Sequence, residues 1–213
     1  MREEELLPGF TVSRETFLKL KEYENLLTKW NSKINLVSKS TLRDFWNRHI
    51  LDSVQVFCSI GEKTGKWVDF GSGGGFPGLV LAILSDEFGV SNSLCLIEAD
   101  VRKSVFLRTV CRELGLVVDV FNNRIEEISP MLVDVVSARA LAPLKTLCFY
   151  AESHLNENGI AVFAKGENWE SELLEAQKNW IFEYDVVTSK LHQGSVILVL
   201  RQLLLMHHPI SDR

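Results

Sequence analysis

The stretch Trp67-Val68-Asp69-Phe70-Gly71-Ser72-Gly73-Gly74-Gly75-Phe76-Pro77-Gly78 decides how this chain folds. It opens as an apolar strand, Trp67 to Phe70, and then places Gly71, Gly73, Gly74 and Gly75 within five positions. Glycine lacks a Cβ, so the backbone can take positive φ and a ligand can lie against the main chain. Phe76-Pro77-Gly78 leads into the apolar run Leu79-Val80-Leu81-Ala82-Ile83-Leu84, and Pro77 suits the first turn of a helix. A helix N-terminus beside such a turn offers free N–H groups to an anionic or polar ligand. The pattern is therefore a strand, a glycine turn and a helix, arranged to hold a nucleotide-like molecule. A tight turn with no ligand is the plain alternative, but so many glycines in one turn are entropically costly.

Two cofactor classes use this device. Read as Gly73-x-Gly75-x-x-Gly78, the loop fits the dinucleotide pattern, so a nicotinamide-dependent reductase stays open at this point. Asp69 gives the other frame, D-x-G-x-G-x-G, which resembles the first motif of S-adenosylmethionine-dependent methyltransferases. Glu98 closes the next apolar run, Leu94-Cys95-Leu96-Ile97, where an acidic side chain can accept both ribose hydroxyls of an adenosine.

The 213 residues suffice for one α/β domain with a short extension. With 46% hydrophobic residues the chain can fill a core, which argues against global disorder. A net charge of −5 argues against a protein that coats nucleic acid indiscriminately, while leaving room for a local basic face. Cys58, Cys95, Cys111 and Cys148 have no C-x-x-C spacing and sit in mostly apolar contexts, so they read as reduced, buried residues. The start Met1-Arg2-Glu3-Glu4-Glu5 is acidic with no apolar run behind it, and no stretch is long and uncharged enough to span a bilayer, so the cytoplasm is expected.

Upstream of the glycine turn the chain reads as a helical extension, residues 1–62, ahead of a domain at 63–213. Phe17, Leu20, Tyr23, Leu26, Leu27, Trp30 and Ile34 recur at helical steps behind a Ser13 cap. A second helix is expected over residues 41–57, capped by Thr41 or Ser40. On it Arg48 and His49 could each pair with Asp52. From Lys66 on, strands and helices alternate. Strands are predicted at 66–70, 93–98, 117–121, 133–137 and 160–164. Helices are predicted at 77–87, from an Asp100 cap to Gly115 with Val101, Val105, Phe106, Val110 and Leu114 inward, at 143–154, and at 169–178. Runs at 181–188 and 195–201 close the chain as a hairpin. This alternation predicts an α/β fold: a mostly parallel, doubly wound sheet with an antiparallel edge. Ligands in such sheets sit beyond the carboxyl ends of the strands, where Gly71, Glu98, Arg139 and Lys165 all fall.

K-W-N-S-K-I-N-L-V-S, R-H-I-L-D-S, V-D-F-G-S-G-G-G-F-P-G, S-A-R-A and A-K-G occur in that order between about Leu26 and Leu200. Together they resemble the bacterial small-subunit ribosomal RNA guanine-N7 methyltransferase family, also called glucose-inhibited division protein B. The resemblance implies a Rossmann-like methyltransferase fold, S-adenosylmethionine as donor, and transfer to N7 of one guanine of 16S rRNA. It implies that Gly71, Gly73, Gly75 and Phe76 line the cofactor, that Glu98 holds its ribose, that Ile125 and Glu126 lie beside its adenine, and that Arg139 stands where cofactor and substrate meet. Asn35, Arg48, His49, Arg139 and Lys165 match positions on the RNA face. Three departures stand out: Ala138 precedes the arginine where the family often has serine, Gly194-Ser195 stands before the last strand where the family commonly has a basic or polar residue, and Leu203–Arg213 has no readable counterpart. The implied partner is 16S rRNA or the small subunit, met by a monomer without membrane or metal.

The chemistry suits a site without a general base. Guanine N7 carries a lone pair and no proton, so positioning and electrostatics are the protein's task. The product purine is positively charged, which assigns Arg139 and Lys165 to phosphate or to the O6 edge of guanine; the plain alternatives are a salt bridge from Arg139 to Glu126 or Asp134 and a solvated strand-end lysine at Lys165. Lys29, Lys33, Lys39, Arg43 and Arg48, or Arg102, Lys103, Arg108 and Arg112, could contact phosphates. No D/N-P-P-Y/F box follows the fourth strand, no cysteine sits as a cytosine-C5 nucleophile, and no cluster has metal-ligand spacing. The rival readings are a small-molecule methyltransferase on the same fold, the nicotinamide reductase, and a non-catalytic RNA-binding protein.

Overall fold

The computed structural model describes residues 3–61 and 64–206, so the expected boundary between residues 62 and 63 and the tail beyond Met206 lie outside the described residues. The chain opens with a hairpin the sequence reading left out: β1 (Glu3–Leu7) pairs antiparallel with β2 (Phe10–Ser13) across Pro8-Gly9, where Gly9 takes φ 79°. Pro-Gly is a turn signal, but the acidic run before it hid the strand. Ser13 then caps α1 (Arg14–Asn31), its hydroxyl accepting from Thr16 N at 3.2 Å.

The second predicted helix is three pieces. Ser38, not Ser40 or Thr41, caps the short α2 (Lys39–Leu42). A π-type helix follows at Trp46–Leu51 and runs into α3 (Asp52–Ile60). Hydrogen bonds in a π-turn run from i to i+5, so the four-residue alignment that would pair Arg48 with Asp52 is lost.

The remaining elements are β3 (Gly65–Phe70), α4 (Gly78–Phe88), β4 (Ser91–Ile97), α5 (Val101–Leu114), β5 (Val118–Phe121), β6 (Val133–Arg139), α6 (Leu144–His154), β7 (Leu155–Lys165), α7 (Trp169–Ala176), β8 (Trp180–Thr188) and β9 (Val196–Leu205). Asp100 caps α5 by accepting from Arg102 N and Lys103 N, and Gly115 ends it in the left-handed conformation. Its buried face is Ser104, Phe106, Leu107, Val110, Cys111 and Leu114, whereas Val101 and Val105, predicted to point inward, are exposed. Cys95, Cys111 and Cys148 are buried, and Cys58, expected to be so, is exposed.

The sheet order is β5-β4-β3-β6-β7-β9-β8. Strands β3 to β7 are parallel, while β9 runs antiparallel to both β7 and β8, which is the predicted antiparallel edge. The chain leaves β3 toward β4 and β5 on one side and returns to β6 on the other. That reversal is a topological switch point, where open α/β sheets bind ligands. Alternation along β3 sends Trp67 into the core beneath α1, α3, α4 and α5, and Val68 and Phe70 into the core beneath α6 and α7. Leu20, Tyr23 and Leu27 of α1 belong to the same buried cluster as Leu79 and Phe106, so the N-terminal helices pack directly on α4 and α5.

Candidate active site at the switch point

Register brings the site together. Phe70 pairs with Ile97 on one side and with Ala138 on the other. The next residue along each strand or just past its end, Gly71, Glu98 and Arg139, therefore meets the others at one rim. Arg139 pairs in turn with Ala164, which sets Lys165 on the same edge.

The glycine turn is built by backbone constraints. Gly71, Gly73 and Gly75 take φ 60°, 56° and 96°. A Cβ on Gly75 would collide with the Leu79 side chain and lie 2.6 Å from the Tyr23 hydroxyl; one on Gly71 would lie 2.5 Å from Leu141. At Gly73 the nearest atom would be Gly71 O at 3.7 Å, so that position opens outward. Glu98, buried at 7% exposure, holds the turn: Gly73 N donates to its Oε2 and Asp100 N to its Oε1, both at 2.8 Å. Beneath lies Asp69, 1% exposed, whose Oδ1 accepts from Ser137 Oγ at 2.6 Å. Burial pushes its carboxyl up to about 6, against the hydrogen bonds from Ser137 and Ser72.

Beyond the turn lies a cleft of about 550 Å³ whose lining includes Arg48, His49, Asp52, Arg139, Lys165 and Glu172. Arg139 reaches across it: Nη1 donates to Arg48 O and Nη2 to His49 Nδ1, each at 2.7 Å, with Asp52 Oδ2 3.9 Å from Nη1. The guanidinium also lies 5.1 Å from the Phe76 ring centroid, and the His49 ring stacks on that same ring at 4.6 Å. Arg139 thus pairs with Asp52, rather than with Glu126 or Asp134, and takes the place at Asp52 expected for Arg48 or His49. Burial raises the Asp52 carboxyl, opposed by Arg139.

The family profile described as rRNA small subunit methyltransferase G (GidB) matches residues 17–199. This chain belongs to that family. The ribosomal RNA small subunit methyltransferase G of Ruegeria pomeroyi is 50% identical over 187 residues, covering 88% of this chain and 91% of that one. Its counterpart in Paramagnetospirillum magneticum is 45% identical over 203 residues, covering 95% and 97%. Among solved structures, a SAM dependent methyltransferase from Aquifex aeolicus superposes with a TM-score of 0.57 at 16% identity, covering 84% of this chain and 97% of that one, which is a likeness of fold.

Against this family frame the expected RNA face divides. Arg48, His49, Arg139 and Lys165 share the cleft, but His49 is 5% exposed with its Nδ1 turned to Arg139, so only Arg48 of the helix pair is an exposed cation. Lys165 is not a free strand-end lysine: its Nζ lies 2.5 Å from Glu172 Oε2 and donates to Ala142 O at 3.1 Å. Glu172 Oε2 also accepts from Leu144 N, so this pair fixes the segment between β6 and α6. Asn35 lies elsewhere, in a polar cleft with Lys33, Asp100, Arg102 and Lys103. Glu126 accepts from Tyr150 Oη at 2.5 Å, which lowers its carboxyl, and Ile125 is buried in the core beneath α6, so neither side chain lines the cleft around Arg139.

Sequence reasoning missed the residues that brace the rim. Tyr23, taken as part of an apolar stripe, is fully buried and donates its hydroxyl to Gly74 O. A buried tyrosine needs a partner for that hydroxyl, and this was the available signal. Asn31 Oδ1 accepts from Leu36 N and Val37 N, holding the loop that follows α1. Asn122 donates to Glu98 O at 2.9 Å and to Ala99 O at 3.0 Å. Among the described residues no group of three or more His, Cys, Asp or Glu could hold a metal, and no helix is long and apolar enough to cross a membrane.

Proposed function

We propose that this chain transfers a methyl group from S-adenosylmethionine to N7 of a guanine in 16S rRNA. What carries the reading is the register that sets Gly71, Glu98 and Arg139 side by side in a chain whose residues 17–199 match the family. The residues present fit the cofactor. Gly73 offers bare main chain with open space beyond it, and Glu98 offers a buried carboxylate with two of its lone pairs engaged by N–H groups and the others free for ribose hydroxyls. Gly71, Gly75 and Phe76 shape the turn, and the backbone at Ile125 and Glu126 would border the adenine. When bound, the cofactor supplies an electrophilic methyl on a sulfonium.

The chain's own residues then position the base. N7 has no proton to lose, and the imidazole in the cleft is not poised to take one: His49 has its Nδ1 committed to Arg139, and burial, Arg139 and Arg48 together push its imidazole down to about 3. Arg139 keeps N–H donors beyond those spent on Arg48 O and His49, and a guanidinium can hold the O6 edge of guanine. Asp52 and Glu172 offset the charges of Arg139 and Lys165, so the cationic product purine does not meet an uncompensated positive wall. Arg48 is free for a phosphate. The setting is the cytoplasm, and the protein works as a monomer on the RNA or on the assembled subunit.

A small-molecule methyltransferase would want a closed apolar cover; the cleft is instead walled by Arg48, Asp52, Arg139, Lys165 and Glu172. The test is methyl transfer from labelled S-adenosylmethionine to unmethylated small subunits and to their naked RNA, read by mass spectrometry of nucleosides. The expected product is 7-methylguanosine from one position. Label in any other nucleoside, or none, overturns the proposal.

A further inference from the structure

His49 stands on the π-type turn with its ring stacked on Phe76 of the glycine loop, centroids 4.6 Å apart and planes 25° apart. Its Nδ1 lies 2.7 Å from Arg139 Nη2. A guanidinium can only donate, so Nδ1 accepts, and the neutral ring carries its hydrogen on Nε2. The other tautomer would turn one N–H against another. Nε2 is buried without a hydrogen-bond partner among the described residues, a cost the fold accepts to keep Nδ1 free as an acceptor. Arg139 Nη1 meanwhile donates to Arg48 O, the neighbouring residue on the same turn. A single turn of helix thus holds both ends of the guanidinium, while Phe76 packs beneath both the guanidinium and the imidazole.

We propose that His49, as its Nε2–H tautomer, is a positioning residue: it fixes the Arg139 guanidinium against the glycine loop so that the remaining N–H groups of Arg139 face the guanine. This rests on the reading of the site given above. His49 then touches neither RNA nor the reacting atoms, and it links the RNA-side helix to the cofactor turn through Phe76. The same burial and the same two arginines that keep the imidazole neutral remove it as a phosphate-binding cation.

Two measurements on the full chain test this. Nitrogen NMR of the wild-type imidazole at neutral pH should show His49 protonated at Nε2 and bare at Nδ1; a ring protonated at Nδ1 overturns the proposal. The second measurement compares His49→Phe, which keeps a ring on Phe76 but has no acceptor, with His49→Asn, whose amide oxygen can stand near the place of Nδ1. With unmethylated small subunits, His49→Phe should lower kcat about tenfold or more while KM for the subunit stays within about twofold, and His49→Asn should recover most of the lost kcat. A raised KM at unchanged kcat, or equal losses in the two variants, overturns it. Wild-type protein that shows the Nε2–H ring yet never methylates guanine N7 refutes the reading of the site itself. Wild-type protein that methylates with an Nδ1–H ring refutes only the role of His49.

Discussion

Alanine at Gly73 and alanine at Gly75 should have different consequences, although the two glycines are two residues apart. Gly73 takes φ 56°, where an L-residue costs about 1–2 kcal/mol, and its new Cβ would meet nothing closer than Gly71 O at 3.7 Å. Gly73→Ala should therefore fold, with a melting temperature lower by roughly 2–4 °C for each kcal/mol lost in a chain of this size. On the proposed placement its methyl would stand in the space the ligand takes, and affinity for S-adenosylhomocysteine should fall about 10- to 100-fold, or roughly 1.4–2.8 kcal/mol. Gly75 takes φ 96°, and its Cβ would strike Leu79 and come within 2.6 Å of the Tyr23 hydroxyl that holds Gly74 O. Strain plus overpacking there comes to about 2–5 kcal/mol, so Gly75→Ala should be grossly destabilised. Calorimetric titration with S-adenosylhomocysteine and thermal unfolding, run on both variants, measure the two quantities. Wild-type affinity in Gly73→Ala would refute the placement of the ligand, and equal stabilities would refute the packing argument.

Three further predictions follow from the buried charges and the strained backbone. Asp69, raised to about 6, keeps a proton that the unfolded chain releases, so its contribution is full below about pH 4 and is lost as pH rises through 6; His49, lowered to about 3, refuses a proton that the unfolded chain binds, so its contribution is full above 6.5 and is lost as pH falls toward 3. The two slopes oppose each other between about pH 4 and 6, and Asp69→Asn should steepen the loss of stability on acidification there by up to about 1.4 kcal/mol per pH unit, measured by urea unfolding at several pH values; an unchanged slope would mean that Asp69 does not titrate in the folded protein. Breaking one side of a buried ion pair costs about 3–5 kcal/mol, and with Lys165 and Glu172 at 8% and 27% side-chain exposure the low end applies, so Lys165→Met and Glu172→Gln should each lose stability and activity while the double variant loses little more; additive losses would restore Lys165 as an independent RNA contact. Ala140 sits at φ 52° directly after Arg139, so Ala140→Gly should leave the stability within about 0.5 kcal/mol of wild type, strain relief offsetting chain entropy, whereas the β-branched Ala140→Val should be unstable in urea denaturation; a stable valine variant would contradict the conformation.

The parts of this fold that were legible are those whose cause is local. The glycine turn needs glycine at Gly71, Gly73 and Gly75 because of backbone angles within the turn itself. Ser13, Asp100 and Gly115 mark helix ends through contacts with residues a few positions away. The parts that failed depend on partners far along the chain or on a change of helical period. Nothing near Arg139 announces that its guanidinium will meet Arg48 and His49, 91 and 90 residues away. The π-type turn hid the loss of the Arg48–Asp52 alignment, because a pattern read at the α-helical period cannot register one extra residue per turn. Lys165 reads as a contact to phosphate or guanine, with a solvated lysine as the alternative, because its partner Glu172 arrives only from the helix after it.

This division bears on how the enzyme meets its substrate. A net charge of −5 offers no general attraction to RNA, and the cleft pairs its own charges, Arg139 with Asp52 and Lys165 with Glu172. Recognition there must come from where donors point rather than from a positive field. Donors that must point need bracing, and the bracing is what the structure adds: Tyr23 on Gly74, His49 and Arg48 on Arg139, Glu172 on the segment ahead of α6. Phe76 belongs to the glycine turn, yet His49 stacks on it and Arg139 lies over it. On the proposed reading of the site, that shared packing would tie placement of the methyl donor to placement of the base that receives it. If the acceptor is guanine N7, which needs no proton transfer, that shared geometry would be the catalytic contribution left to the protein.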